Sequence, residues 1–138
     1  MTPTLVLSLD KELIWGSFDH TTDDAFLRRY PDPRAVVDRL LAVLDEHEVP
    51  ATWAVVGHLF LDSCVRGLDG RAHPELPRPS YRWYPRDWFE RDPCTDARRS
   101  PLWYGPDIVD AVLGRKTLHE VACHSFSHIP YGDPGTNN

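Results

Sequence analysis

The chain has 138 residues, enough for one domain with its own core and too few for two ordinary ones. Its 41% hydrophobic and 26% charged residues are an ordinary globular composition, which argues against disorder throughout. A formal net charge of -6 argues against general nucleic-acid binding, where a basic excess neutralises phosphates, and no stretch approaches the roughly 20 apolar residues that cross a bilayer.

Residues 4–10, Thr-Leu-Val-Leu-Ser-Leu-Asp10, form a nearly continuous apolar run ending in acid, the pattern of a strand buried on both faces. The N-terminus has no basic start and reads as a strand rather than a signal peptide, so the expected location is cytoplasmic. Phe18-Asp19-His20 falls in a polar loop and carries little weight as a site. Ala35, Val36, Leu40, Leu41, Val43 and Leu44 recur at helical spacing over 33–48, with Asp32 as cap and Pro33 in the first turn. Ala51 to Gly57 is a second buried strand, and 58–68 a helix or helical turn in which His58 is a helix-start residue.

From 69 to 101 the periodicity stops, and prolines and arginines interleave with Tyr81, Trp83, Tyr84, Trp88 and Phe89. Such an irregular insertion is expected to be a binding loop that stacks on a ligand, or a lid packed on the domain. His73 and Cys94 lie in it at a separation that matches no metal pattern. Cys64, Cys94 and Cys123, widely spaced and odd in number, fit reduced thiols. A short helix follows over 105–114, opened by proline and closed by glycine, and then a third strand over 117–123.

Alternating strands and helices imply a parallel sheet, whose sites lie at the carboxyl ends of the strands. Asp10 and Glu12, the Gly57-His58 turn and His124 all fall at such ends. His124 and His128 stand one helical turn apart, so both imidazoles can face one metal ion. If the chain is extended at Asp10 and Glu12, both carboxylates point the same way, one to bind metal and one to take a proton from its water. Ser125, Phe126 and Ser127 could supply supporting hydrogen bonds. Trp15 either packs against this site or lines a substrate groove.

Three ordered segments, Leu7-Ser-Leu-Asp10-Lys-Glu12, Val49-Pro-Ala-Thr-Trp-Ala-Val-Val-Gly57 and His119-Glu-Val-Ala-Cys-His-Ser-Phe-Ser-His128, resemble motifs of the polysaccharide deacetylase (NodB-homology) family, carbohydrate esterase family 4. The first resembles its Thr-Phe-Asp-Asp motif, the second its Pro-Ala-Thr-Phe-Phe strand, the third its His-(Ser/Thr)-x-x-His motif. The resemblance implies an α/β fold, a deformed (β/α) barrel, with 1–138 forming the N-terminal half to two-thirds of one domain. It implies one divalent metal, zinc by preference, held by Glu12, His124 and His128, with Asp10 as catalytic base. Lys11 replaces the family's second aspartate, so the metal role passes to Glu12, and an exchange of roles between Asp10 and Glu12 stays open. The implied reaction is deacetylation of an N-acetylated sugar, a carbon-nitrogen, non-peptide hydrolysis. The family's Arg-x-Pro and Leu-x-His motifs do not occur after His128, so the expectation is a fragment lacking the general acid, or a chain completed by a second one. The alternatives are a non-sugar amide hydrolase of the same fold and a non-catalytic remnant that keeps the metal site. The expected partner is a carbohydrate or small amide, with neither nucleic acid nor membrane.

Overall fold

The computed structural model describes residues 4–136. Three short strands, β1 (Ser8–Lys11), β2 (Thr52–Val55) and β3 (Glu120–Cys123), form a parallel sheet in the order β1-β2-β3. The register aligns Leu9 with Trp53 and Val121, and Asp10 with Ala54 and Ala122. Side chains alternate across a strand. One row is therefore apolar, with Trp53 and Val55 buried and Leu9 and Val121 packed against them. The neighbouring rows hold the exposed Ser8, Asp10 and Glu120 with the small Ala54 and Ala122. The strands are covered on one face only, which corrects the expectation of strands buried on both.

Helix α1 (Asp23–Arg29) is opened by Thr22, whose hydroxyl accepts the Ala25 amide, and acids lie in its first turn and arginines in its last. Helix α2 (Pro33–Glu46) is capped by the Asp32 carboxylate and buries Val37, Leu41 and Leu44. Val36 and Val43, which the periodicity placed on the core stripe, are instead about half exposed. Helix α3 (Pro106–Leu113) lies between Gly105 and Gly114 and buries Ile108, Val109 and Val112.

Helices α2 and α3 pack against each other and are held together at their N-terminal ends by Arg34. Its guanidinium donates to both carboxylate oxygens of Asp107, at 2.6 and 3.0 Å, and to the carbonyls of Pro101 and Tyr104. A planar fork on a carboxylate fixes geometry as well as charge. Among the described residues the sheet is open, and no helix is long and apolar enough to cross a membrane.

Between Leu61 and Gly105 there is no helix and no strand beyond two isolated bridges, in agreement with an irregular insertion over 69–101. Of the helix or helical turn expected over 58–68, the structure has the turn, a single 3-10 one at Gly57–Phe60. The insertion's aromatics are core residues rather than a free binding surface: Tyr81, Tyr84, Trp88 and Phe89 are all buried. Trp88 packs edge-on against Phe18, which in turn meets Trp15 and Trp103. This aromatic core extends the helix-covered core to the carboxyl ends of the strands. Trp83 alone of the five is half exposed, stacked on Tyr81.

Candidate functional site

At the carboxyl rim of the sheet, β1 ends at Lys11 and the backbone turns at Glu12 into a 3-10 turn, Leu13–Gly16. Across the sheet β3 ends at Cys123, so His124 stands on the same rim. The segment after it is a turn, not the helix that the four-residue spacing suggested, and both Ser125 (φ 55°) and His128 (φ 55°) are left-handed. Two such residues fold the chain back within five positions, bringing the imidazole rings to 5.0 Å between centroids. Left-handed backbone in non-glycine residues is costly and persists where surrounding contacts enforce it.

Those contacts are visible. The Gly57 and His58 amides donate to the carbonyls of Ser125 and Phe126, each at 2.8 Å, extending β2 into the turn. A Cβ at Gly57 would lie 3.1 Å from the Phe126 Cα, so glycine permits this approach. On the far side the Trp88 indole donates to the carbonyl and hydroxyl of Ser127, and the Ser125 hydroxyl accepts the Ile129 amide. The two serines thus brace the turn's backbone and the insertion rather than the imidazoles.

The result is a compact donor set. Glu12 Oε1 lies 3.0 Å from His124 Nε2 and 2.9 Å from His128 Nε2. The His128 hydrogen bond, ahead of an opposing effect of burial, holds the Glu12 carboxyl below its usual range. The same bond raises the His128 imidazole, and Asp10 and Asp19 add to it through space. The three side chains remain 27–36% exposed, so one side of the cluster faces solvent.

Asp10 is exposed on the row it shares with Ala54 and Ala122, beside this cluster but outside the donor set. A groove of about 720 Å³ runs past Asp10, Lys11 and Glu12 along α1 and the start of α2. That volume suits a small ligand. A second hollow of about 150 Å³ reaches His128 between Trp83, Trp88 and His20. Trp15, read from the sequence as a substrate contact, is 1% exposed and hydrogen-bonded to the Trp103 carbonyl, so it acts as a core ring behind that hollow. Gly16 closes against Glu12, since a Cβ there would collide with the Glu12 carboxylate.

Two imidazole nitrogens and a carboxylate oxygen, with an open side, could serve as the donors of one divalent metal ion. A second cluster, which spacing did not reveal, lies inside the domain: His58, Cys64, His73 and Asp92. No family model, curated protein or solved structure matches this chain.

Proposed function

We propose that the chain is the catalytic portion of a metal-dependent hydrolase that removes an acetyl group from an N-acetylated sugar, on a part of a deformed (β/α) barrel. The observation that carries this reading is the Glu12 carboxylate oxygen held within 3.0 Å of both His124 and His128 at the carboxyl ends of parallel strands. Together with the three ordered sequence segments, a carboxylate and two histidines meeting at one rim support the reading of a NodB-type deacetylase site. Glu12, His124 and His128 would hold the metal, with zinc suiting the two nitrogens and one oxygen. When bound, such an ion polarises an acyl oxygen and lowers the pKa of water.

The chain's own groups supply the rest. Asp10 is outside the donor set and open to solvent, so its carboxylate can accept the proton of an attacking water and then return it to the leaving amine as the carbon-nitrogen bond breaks. The absence of a side chain at Gly16 leaves room for the Glu12 carboxylate in the position from which it meets both imidazoles. The groove beside Asp10 offers Arg29, Tyr30, Asp32 and Arg39 to a polyhydroxylated substrate. The half-exposed Trp83 face, next to His128, suits stacking on a sugar ring.

The test is metal content together with turnover on chitooligosaccharides or acetylated sugar precursors. Wild-type protein is expected to release acetate. Asp10→Asn is expected to keep the metal and lose turnover, and His124→Ala to lose both. Full turnover in metal-free protein would sink the reading, and so would full turnover in Asp10→Asn.

A further inference from the structure

The second cluster is assembled from four places in the chain. His58 sits in the turn leaving β2, while Cys64, His73 and Asp92 come from the segment without regular structure. His58 and Asp92 are 0–1% exposed and His73 is 7% exposed. Asp92 Oδ2 lies 2.8 Å from His58 Nε2 and 2.9 Å from His73 Nε2. Cys64 Sγ is 3.7 Å from both Asp92 oxygens, and the four donor atoms all lie within 4.8 Å of one another.

The atoms behind these donors decide what the cluster is. His58 Nδ1 is 3.0 Å from the Trp103 carbonyl, which can only accept, so the proton of a neutral His58 is on Nδ1. Its Nε2 then directs a lone pair at the Asp92 oxygen, and two lone pairs at 2.8 Å require a proton or a metal cation between or beside them. Asp92 Oδ1 is already engaged by the Cys94 amide and the Tyr104 hydroxyl, which leaves Oδ2 facing both imidazoles. An imidazole N–H tied to a backbone carbonyl, and a carboxylate tied by its outer oxygen, are how metal ligands are oriented.

Charge and surroundings agree. The alternative of a buried imidazolium against a buried carboxylate bears a large desolvation cost. A divalent ion with one thiolate and one carboxylate makes a neutral site instead. Trp15, Phe89, Tyr104 and Phe126 pack around the two imidazoles, giving the dry aromatic shell of a closed centre. His73 and Cys94 both take left-handed backbone (φ 47° and 45°), and among the described residues all the other non-glycine cases but Glu48 lie at Leu13, Ser125 and His128, beside the first cluster. Strained backbone thus gathers at the two places where donors converge.

We infer that His58, Cys64, His73 and Asp92 form a second, buried site for a divalent cation of the zinc class, a structural centre that staples the irregular insertion to the end of β2. Four protein donors, three of them buried and Cys64 partly so, separate it from the rim cluster, and it does not depend on the proposed activity. On binding, Cys64 gives its thiol proton to solvent and becomes a thiolate ligand. A long stretch without helix or strand gains a fixed shape from such a cross-link in the way small domains do.

The test uses the full chain carrying His124→Ala and His128→Ala, so that the rim site is absent, reconstituted with zinc or with cobalt(II). The expected result is about one equivalent of metal retained through mild chelation, with a thiolate-to-cobalt charge-transfer band in the near ultraviolet. Adding Cys64→Ser removes that band. Because Cys64→Ser could unfold the protein, alkylation of the unsubstituted cysteines provides a second measurement: Cys64 is protected with metal and reactive after it is stripped. Absence of metal, metal without the thiolate band, or a Cys64–Cys94 disulfide (the sulfurs are 3.1 Å apart) overturns the inference.

Discussion

The two clusters share a design and differ in setting. In each, one carboxylate oxygen faces two histidine Nε2 atoms at 2.8–3.0 Å. The rim cluster has three donors about a third exposed, which leaves a coordination position to solvent and, with a divalent ion, a residual positive charge. The inner cluster adds a thiol, lies among aromatic rings, and would reach neutrality with such an ion. With a divalent ion in each, the same donor chemistry would give a reactive centre where water can enter and a structural one where it cannot.

Substitutions should separate the two by what they damage. The largest expected effect is on the inner cluster: His58→Ala removes one of the two imidazoles that face the buried Asp92 and is expected to cost about 3–5 kcal/mol, read by urea or thermal unfolding. Next, Glu12→Gln or Gly16→Ala is expected to lower metal affinity at the rim and cut turnover at least about a hundredfold, while stability changes by less than about 1 kcal/mol because the group is partly exposed. Equal stability losses for His58→Ala and Glu12→Gln would erase the distinction.

Trp88→Phe links the regions. It keeps most of the packing and removes the indole donations to Ser127, so a loss of about 1 kcal/mol is expected. Turnover should fall more than folding does, because the turn carrying His124 and His128 loses its brace, and a kinetic comparison with the wild type checks this.

The smallest expected effect lies away from both clusters, at Arg34 and Asp107. Burial would push the Asp107 carboxyl up, but the Arg34 hydrogen bond and charge more than reverse it, and its pKa lies below the ordinary value. A carboxyl depressed in the folded state adds stability above its unfolded pKa and loses it as the pH falls through the folded one. Asp107→Asn should therefore flatten the acid limb of an unfolding-versus-pH curve by a few tenths of a kcal/mol, after discounting for its exposure. Near-equal curves in 1 M salt are expected if the pair acts by charge.

The sequence was most informative where chemistry and local structure coincide. Asp32-Pro33 starts α2 and Gly105-Pro106 starts α3, because caps and proline act on their own neighbours. Helix α1 carried comparable signals, Thr22 as cap with Asp23 and Asp24 in the first turn, yet its single buried residue, Phe26, leaves no apolar stripe to detect. His124 and His128 were recognisable as a pair, although a left-handed turn rather than a helix brings them together. Three ordered segments pointed to Glu12 as their partner, and the structure brings its carboxylate to both imidazoles.

The inner cluster was legible nowhere in the sequence. His58, Cys64, His73 and Asp92 follow no local period, and each alone is an ordinary residue of a turn or loop. They meet because Trp88, Phe89 and Tyr104 drive the insertion into the core, and hydrophobic burial depends on the whole fold rather than on neighbours in the chain. The amino-acid sequence by itself pointed to the carboxyl ends of the strands, to the caps of α2 and α3, and to Glu12, His124 and His128 as residues of one rim. Only the tertiary structure decided that the aromatic insertion is core, that the histidine pair sits on a turn, and that four scattered donors share one buried point, because each of these depends on contacts between residues far apart in the chain.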